Sequence, residues 1–126
     1  LHDALPIWRC KLLHSDFFAM AHDGGFDPES PNRKFHAILL DIDHSPRAHL
    51  HPAHAGLYTR DGLARLADRL HPGGVFALWS NDPPDAAFLD DLSVVFELAR
   101  AHEVAFHNPL QNQMASNTVY TAQRNP

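Results

Sequence analysis

The sequence has one cysteine, Cys10, in 126 residues. An internal disulfide and a cysteine-based zinc cage are both excluded, so packing alone has to hold the fold, and Cys10 is expected to be buried and inert. Lysine is nearly as scarce. Lys11 and Lys34 are the only two, no basic run occurs, and fifteen acidic against ten basic residues leave a formal charge of −5. That balance argues against nucleic acid as a main partner. Nowhere do about 18 apolar residues run uninterrupted, as a membrane span requires, and no secretory leader pattern is present. A membrane is therefore not expected as a partner, and a cytoplasmic location is. Ser15, Ser45 and Ser80 lack the Gly-x-Ser-x-Gly elbow, which removes support for nucleophilic serine chemistry. Internal repeats and low-complexity tracts are absent.

What is present is the material of one globular domain: 44% hydrophobic residues, 20% charged, and eleven histidines whose titration moves the net charge near pH 6. The chain begins with Leu1 rather than Met, and residues 1–8 join no periodic pattern. They read as an unstructured or non-native start, with the true beginning missing. From residue 9 to 126, strands and helices alternate at the spacing of a parallel sheet. Lys11-Leu12-Leu13-His14 is a short strand candidate, and Ser15-Asp16 can cap a brief helix from Phe17. Ala37-Ile38-Leu39-Leu40-Asp41 is an apolar run closed by a carboxylate, as in a central strand buried on both faces. Thr59 can cap a helix carrying Leu63, Leu66, Ala67 and Leu70 on one face, stopped by His71-Pro72-Gly73-Gly74. Val75 to Trp79 is a second buried strand, Asp82-Pro83 opens another helix, and Phe88, Leu89, Leu92, Val95, Phe96 and Ala99 form its apolar stripe. Glu103 to His107 and Thr118 to Ala122 alternate as a closing antiparallel hairpin. The expected fold is thus α/β, a mostly parallel sheet covered on both faces.

In open sheets of that kind ligands lie beyond the carboxyl ends of the strands, which singles out Ser15-Asp16, residues 41–44 and residues 80–82. Capping is the simpler reading of Asp16; a ligand's amino group is the alternative. Asp41, partly desolvated at a strand end, calls for a partner: a cationic ligand, or else Arg47 or a nearby histidine. Asp43 stands two residues on, so both carboxylates could share one mouth of the sheet, or build a hydrogen-bonded turn. His44, His49, His51 and His54 invite a metal, but their spacing matches no compact metal motif, and a solvated loop of titrating imidazoles is the simpler reading. No metal is expected. Asn81-Asp82-Pro83-Pro84 is superficially similar to the signature of amino-group methyltransferases, yet Asp85 stands where an aromatic residue belongs, and capping explains it better.

Leu13-His14-Ser15-Asp16-Phe17-Phe18, Phe35 through Asp41, and Leu70-His71-Pro72-Gly73-Gly74-Val75-Phe76 together resemble the later half of a class I S-adenosylmethionine-dependent methyltransferase domain. More narrowly they resemble the spermidine synthase family of aminopropyltransferases. The resemblance implies a Rossmann-like sheet lacking its first strands, a partial domain over residues 9–126. It implies a transferase of polyamine biosynthesis that moves an aminopropyl group from decarboxylated S-adenosylmethionine to a small-molecule amine. Methyl transfer from S-adenosylmethionine and a catalytically silent domain are the alternatives. On this resemblance Ser15, Asp16 and Phe17 sit at the nucleoside, with Asp16 on the adenine amino group. Asp41 is the base that binds and deprotonates the amine, and Asp43, His44 and Tyr58 border the substrate. His44 holds the place of the family's second aspartate, and no glycine-rich turn precedes Arg9. The chain alone is accordingly expected to bind the nucleoside poorly and to be inactive, and an exposed edge or apolar face invites self-association into a homo-oligomer.

Overall fold

The computed structural model describes residues 9–126. The expectation for residues 1–8 lies outside them. Helix α1 (Phe17–His22) begins where Asp16 accepts hydrogen bonds from the amides of Phe18 and Ala19. Strand β1 spans Phe35–Leu40, a 3₁₀ helix covers Pro52–Tyr58, and α2 runs Arg60–Ala67 behind its Thr59 cap. Strand β2 (Leu70–Ser80), helix α3 (Ala86–Val95), and strands β3 (Glu97–Asn108) and β4 (Gln113–Gln123) complete the order.

The sheet runs β1-β2-β4-β3. Only β1 and β2 pair in parallel; β2 with β4 and β3 with β4 are antiparallel. This overturns the mostly parallel Rossmann-like sheet expected from the strand and helix alternation. Two local facts account for the difference. The closing antiparallel hairpin is found as expected, but its β4 strand inserts between β2 and β3, so that β2 too pairs antiparallel on that side. Residues 11–14 form no strand, and Leu12 is 93% exposed. The segment is too short to hold a place in a sheet without a neighbour to pair with.

Helices cover one face of the sheet. Ile38, Leu40, Phe76, Leu78, Tyr120 and Ala122 point into a core shared with Phe18, Leu57, Leu63, Leu66, Phe88, Leu92 and Phe96. The opposite face is open among the described residues: Leu39 is 75% exposed, and Val75 and Trp79 are also exposed. Burial of β1 and β2 on both faces is therefore corrected to burial on one, and Trp79 is not core. Cys10 is likewise exposed rather than buried.

The residues His71 to Gly74, expected as a turn, lie within β2. Its register with β1 jumps there, with Phe35 opposite Leu70 but Ala37 opposite Val75. Gly73, at φ +80°, supplies the left-handed residue that this irregularity needs. The α3 cap is Asp85, not Asp82, and its carboxylate also takes a hydrogen bond from Arg47 Nη2 at 3.1 Å. Asp85→Ala removes cap and ion-pair partner together and is expected to lower stability by about 1–2 kcal/mol, read from a urea unfolding midpoint. A loss below about 0.3 kcal/mol would show that the cap is dispensable.

Candidate functional site

The carboxyl ends of β1 and β2 lie side by side because the two strands are parallel, with Leu40 opposite Leu78. Beyond them residues 41–51 leave the sheet as a loop that β2's exit segment braces: the amide of Asn81 donates to the carbonyl of His44 at 2.9 Å. The two aspartates read from the sequence part here. Asp41 is exposed and makes no hydrogen bond or ion pair among the described residues. It borders an open trough of about 230 Å³ walled by Leu39, Leu40, Ala77, Leu78, Trp79 and Val119. Arg47, the internal partner that would have accounted for Asp41, is bonded to Asp85 instead.

Asp43 turns the other way and is buried. Its Oδ1 accepts from the Leu50 amide at 2.7 Å and from His54 Nδ1 at 2.8 Å, and its Oδ2 accepts from the Tyr58 hydroxyl at 2.7 Å. Burial alone would raise the Asp43 pKa, but the bonds from His54, Leu50 and Tyr58 outweigh it and hold the carboxyl below its usual range. Burial, reinforced by the adjacent carboxylate, pushes the Tyr58 hydroxyl well above the ordinary tyrosine value. His54 stacks on Phe18 of α1 with ring centres 3.6 Å apart, and His49 stacks on Tyr58 at 4.8 Å. Asp43 and Tyr58 thus tie the loop to the 3₁₀ helix and to α1, which is structural work.

His44 lies at the rim, with Nε2 donating to Asp82 Oδ1 at 2.9 Å. The Ser45 hydroxyl, and then His44, lower the Asp82 pKa. Beside them Ser45, Pro46, Arg47, Ser80, Asp82 and Asp85 line a second cavity of about 340 Å³. The four loop histidines do not converge. His44 bonds Asp82, His49 bonds the Pro46 carbonyl, His51 accepts from the Ala53 amide, and His54 bonds Asp43. No group of three metal-ligating side chains gathers among the described residues.

Asp16, Ser15 and Phe17 stand at the start of α1, away from Asp41 in sequence but joined to its loop through the Phe18 and His54 stack. Asp16 Oδ1 serves the helix cap, at 2.9 Å from the Phe18 amide. Phe17 stacks on Phe26 with ring centres 4.9 Å apart, which occupies one of its faces. Ser15 is exposed. Sequence reasoning missed Asp82 and Asp85 as partners of His44 and Arg47. For Asp43 the sequence held no usable signal: His54 and Tyr58 lie on a 3₁₀ helix, where a spacing of four does not place them on one side. No helix among the described residues is long and apolar enough to cross a membrane. No protein-family model matches the chain, and no curated protein matches it.

Proposed function

We propose that the strand-end trough receives the ammonium group of a small aliphatic amine on Asp41, and that the chain belongs to a transferase acting on that amine. The supporting observation is the pairing of one uncommitted carboxylate with an otherwise apolar trough. An ammonium on a methylene chain needs both: an anion for its charge, and apolar wall, Trp79 included, for its body.

The chemistry that follows is alkyl transfer from a sulfonium nucleoside. Asp41 takes the proton from the ammonium, and the freed nitrogen lone pair attacks the carbon next to sulfur. The carbon–sulfur bond breaks, and its electrons neutralise the sulfonium to a thioether. The protein's part is alignment to about 3–3.5 Å and acceptance of one proton. His44, bonded to Asp82 at the same rim, is the auxiliary proton acceptor. For the nucleoside, decarboxylated S-adenosylmethionine or S-adenosylmethionine, the described residues offer the exposed Asp16 carboxylate beyond its cap bonds and the part of the half-buried Phe17 ring left open by its stack on Phe26 and its edge contact with Phe18. These residues fit an adenine amino group and its ring, and they act by binding alone.

The test is calorimetric titration of the chain with putrescine and, separately, with each nucleoside. Putrescine is expected to bind, and Asp41→Asn to weaken it at least tenfold while leaving the unfolding midpoint unchanged, since Asp41 holds no internal partner. Tighter binding of the decarboxylated nucleoside favours aminopropyl transfer, and of the methyl donor methyl transfer. Putrescine affinity that Asp41→Asn leaves intact would remove the proposed amine site.

A further inference from the structure

We propose that His36 and His71 form a two-imidazole site for a divalent transition-metal ion, with water completing its coordination. The site lies at the opposite end of the sheet from Asp41 and is independent of the amine reading. His36 is the second residue of β1 and His71 the second of β2. Parallel pairing sets Phe35 opposite Leu70, which brings the next residue of each strand together. Their ring centres are 4.5 Å apart at an interplanar angle of 39°. Two nitrogens sharing one tetrahedral ion, each at about 2.0–2.1 Å from it, are separated by about 3.3 Å. Ring centres of two imidazoles on one tetrahedral ion stand about 5 Å apart, close to the spacing of this pair.

Neither ring makes a hydrogen bond or ion pair among the described residues, so all four nitrogens are uncommitted. This sets the pair apart from the loop histidines, each of which already bonds a different partner. His36 is exposed and His71 half-buried, so an ion has access from solvent. The neighbouring cation, Arg124, has its guanidinium directed onto the Leu70 carbonyl. Imidazole nitrogen selects Cu²⁺, Ni²⁺ and Zn²⁺ over the oxygen-seeking Mg²⁺ and Ca²⁺. Because the two ligands sit on different strands, the ion joins β1 to β2 and binds the folded chain in preference to the unfolded one.

Ni²⁺ titration of the full chain at pH 7.5, by calorimetry and by thermal unfolding, tests the assignment. One equivalent is expected to bind and raise the unfolding midpoint, with Mg²⁺ giving neither effect. His36→Ala and His71→Gln are each expected to weaken binding at least tenfold and to abolish the midpoint shift, while His51→Ala retains both. Lowering the pH to 5.5 is expected to weaken binding as protons compete for the nitrogens. Binding that both strand variants leave unchanged, or the absence of a one-to-one complex, would overturn the proposal. Circular dichroism of each variant in the absence of metal establishes that a lost signal reflects lost ligands and not lost fold.

Discussion

Asp43→Ala is expected to destabilise the protein by about 3–5 kcal/mol, the scale for removing one member of a buried charged cluster. Three donors lose their acceptor at once: the Leu50 amide, His54 Nδ1 and the Tyr58 hydroxyl. Tyr58 is buried, and His54 is pressed against Phe18, so neither can turn to water without giving up its packing. Set against typical domain stabilities of about 5–15 kcal/mol, the variant loses a large share of the total. Urea unfolding followed by far-ultraviolet circular dichroism measures it, and a loss under about 1 kcal/mol would contradict the role given to this carboxylate. The same cluster predicts acid sensitivity. Asp43 has a folded pKa below its unfolded value of 3.8, so the folded state binds its proton less readily than the unfolded one. Its contribution is complete above the unfolded pKa and disappears as the pH falls through the folded one. Asp82, held low by Ser45 and then His44, and Asp85, held low chiefly by Arg47, add in the same direction. Unfolding midpoints are expected to fall steeply below about pH 4, and Asp43→Asn to flatten that fall.

Gly62→Ala is the second variant with a large expected effect. A Cβ at this position would stand 2.0 Å from the Gly56 carbonyl oxygen and 2.7 Å from Leu57 Cα. Both are backbone atoms of the 3₁₀ helix, so no side chain can swing aside to relieve the overlap. The contact follows from how the two helices meet. Thr59 ends one and caps the other, donating its hydroxyl to the Gly56 carbonyl at 2.7 Å while accepting from the Gly62 amide at 3.1 Å. Separating them would move Leu57, Tyr58, Leu63 and Leu66, all buried. A loss of about 3 kcal/mol is expected, the upper end for forced overpacking, with Gly56→Ala as the comparison, since a Cβ there meets nothing within 4 Å. Equal losses in the two variants would refute the steric account.

Much of the local structure was legible in the sequence. Thr59, Leu63, Leu66 and Ala67 after it, and the Asp16 cap are found where residue type and spacing put them, because these signals act over one or two turns; Leu70, read as the last of that stripe, instead opens β2. The apolar run from Ala37 to Leu40 marks β1 correctly, but a continuous run cannot say whether one face or two are covered. Leu39 and Trp79 lie on the open side because no described helix packs there, a fact of assembly and not of composition. Sheet order was illegible for a related reason: pattern locates strands, whereas the insertion of β4 between β2 and β3 depends on pairings far apart in the chain. At the candidate site the position of Asp41 at a strand end could be read, and its lack of an internal partner could not. Asp43 looked equivalent to it, two residues away, yet the loop turns its side chain to Tyr58 and His54.

The pairing pattern of the sheet also sets an order of events. Strands β3 and β4 meet across a four-residue turn, residues 109–112, whereas Ser80 waits for Thr118, and Ala37 for Val75, across whole intervening elements. Short closures cost less chain entropy and come early in folding. The hairpin therefore closes first, whereas β2 must reach β4, and β1 must reach β2, across spans of comparable length. The rim that carries Asp41 belongs to an edge strand held on one side only, by β2, so fraying of β1 loosens that rim without disturbing the hairpin.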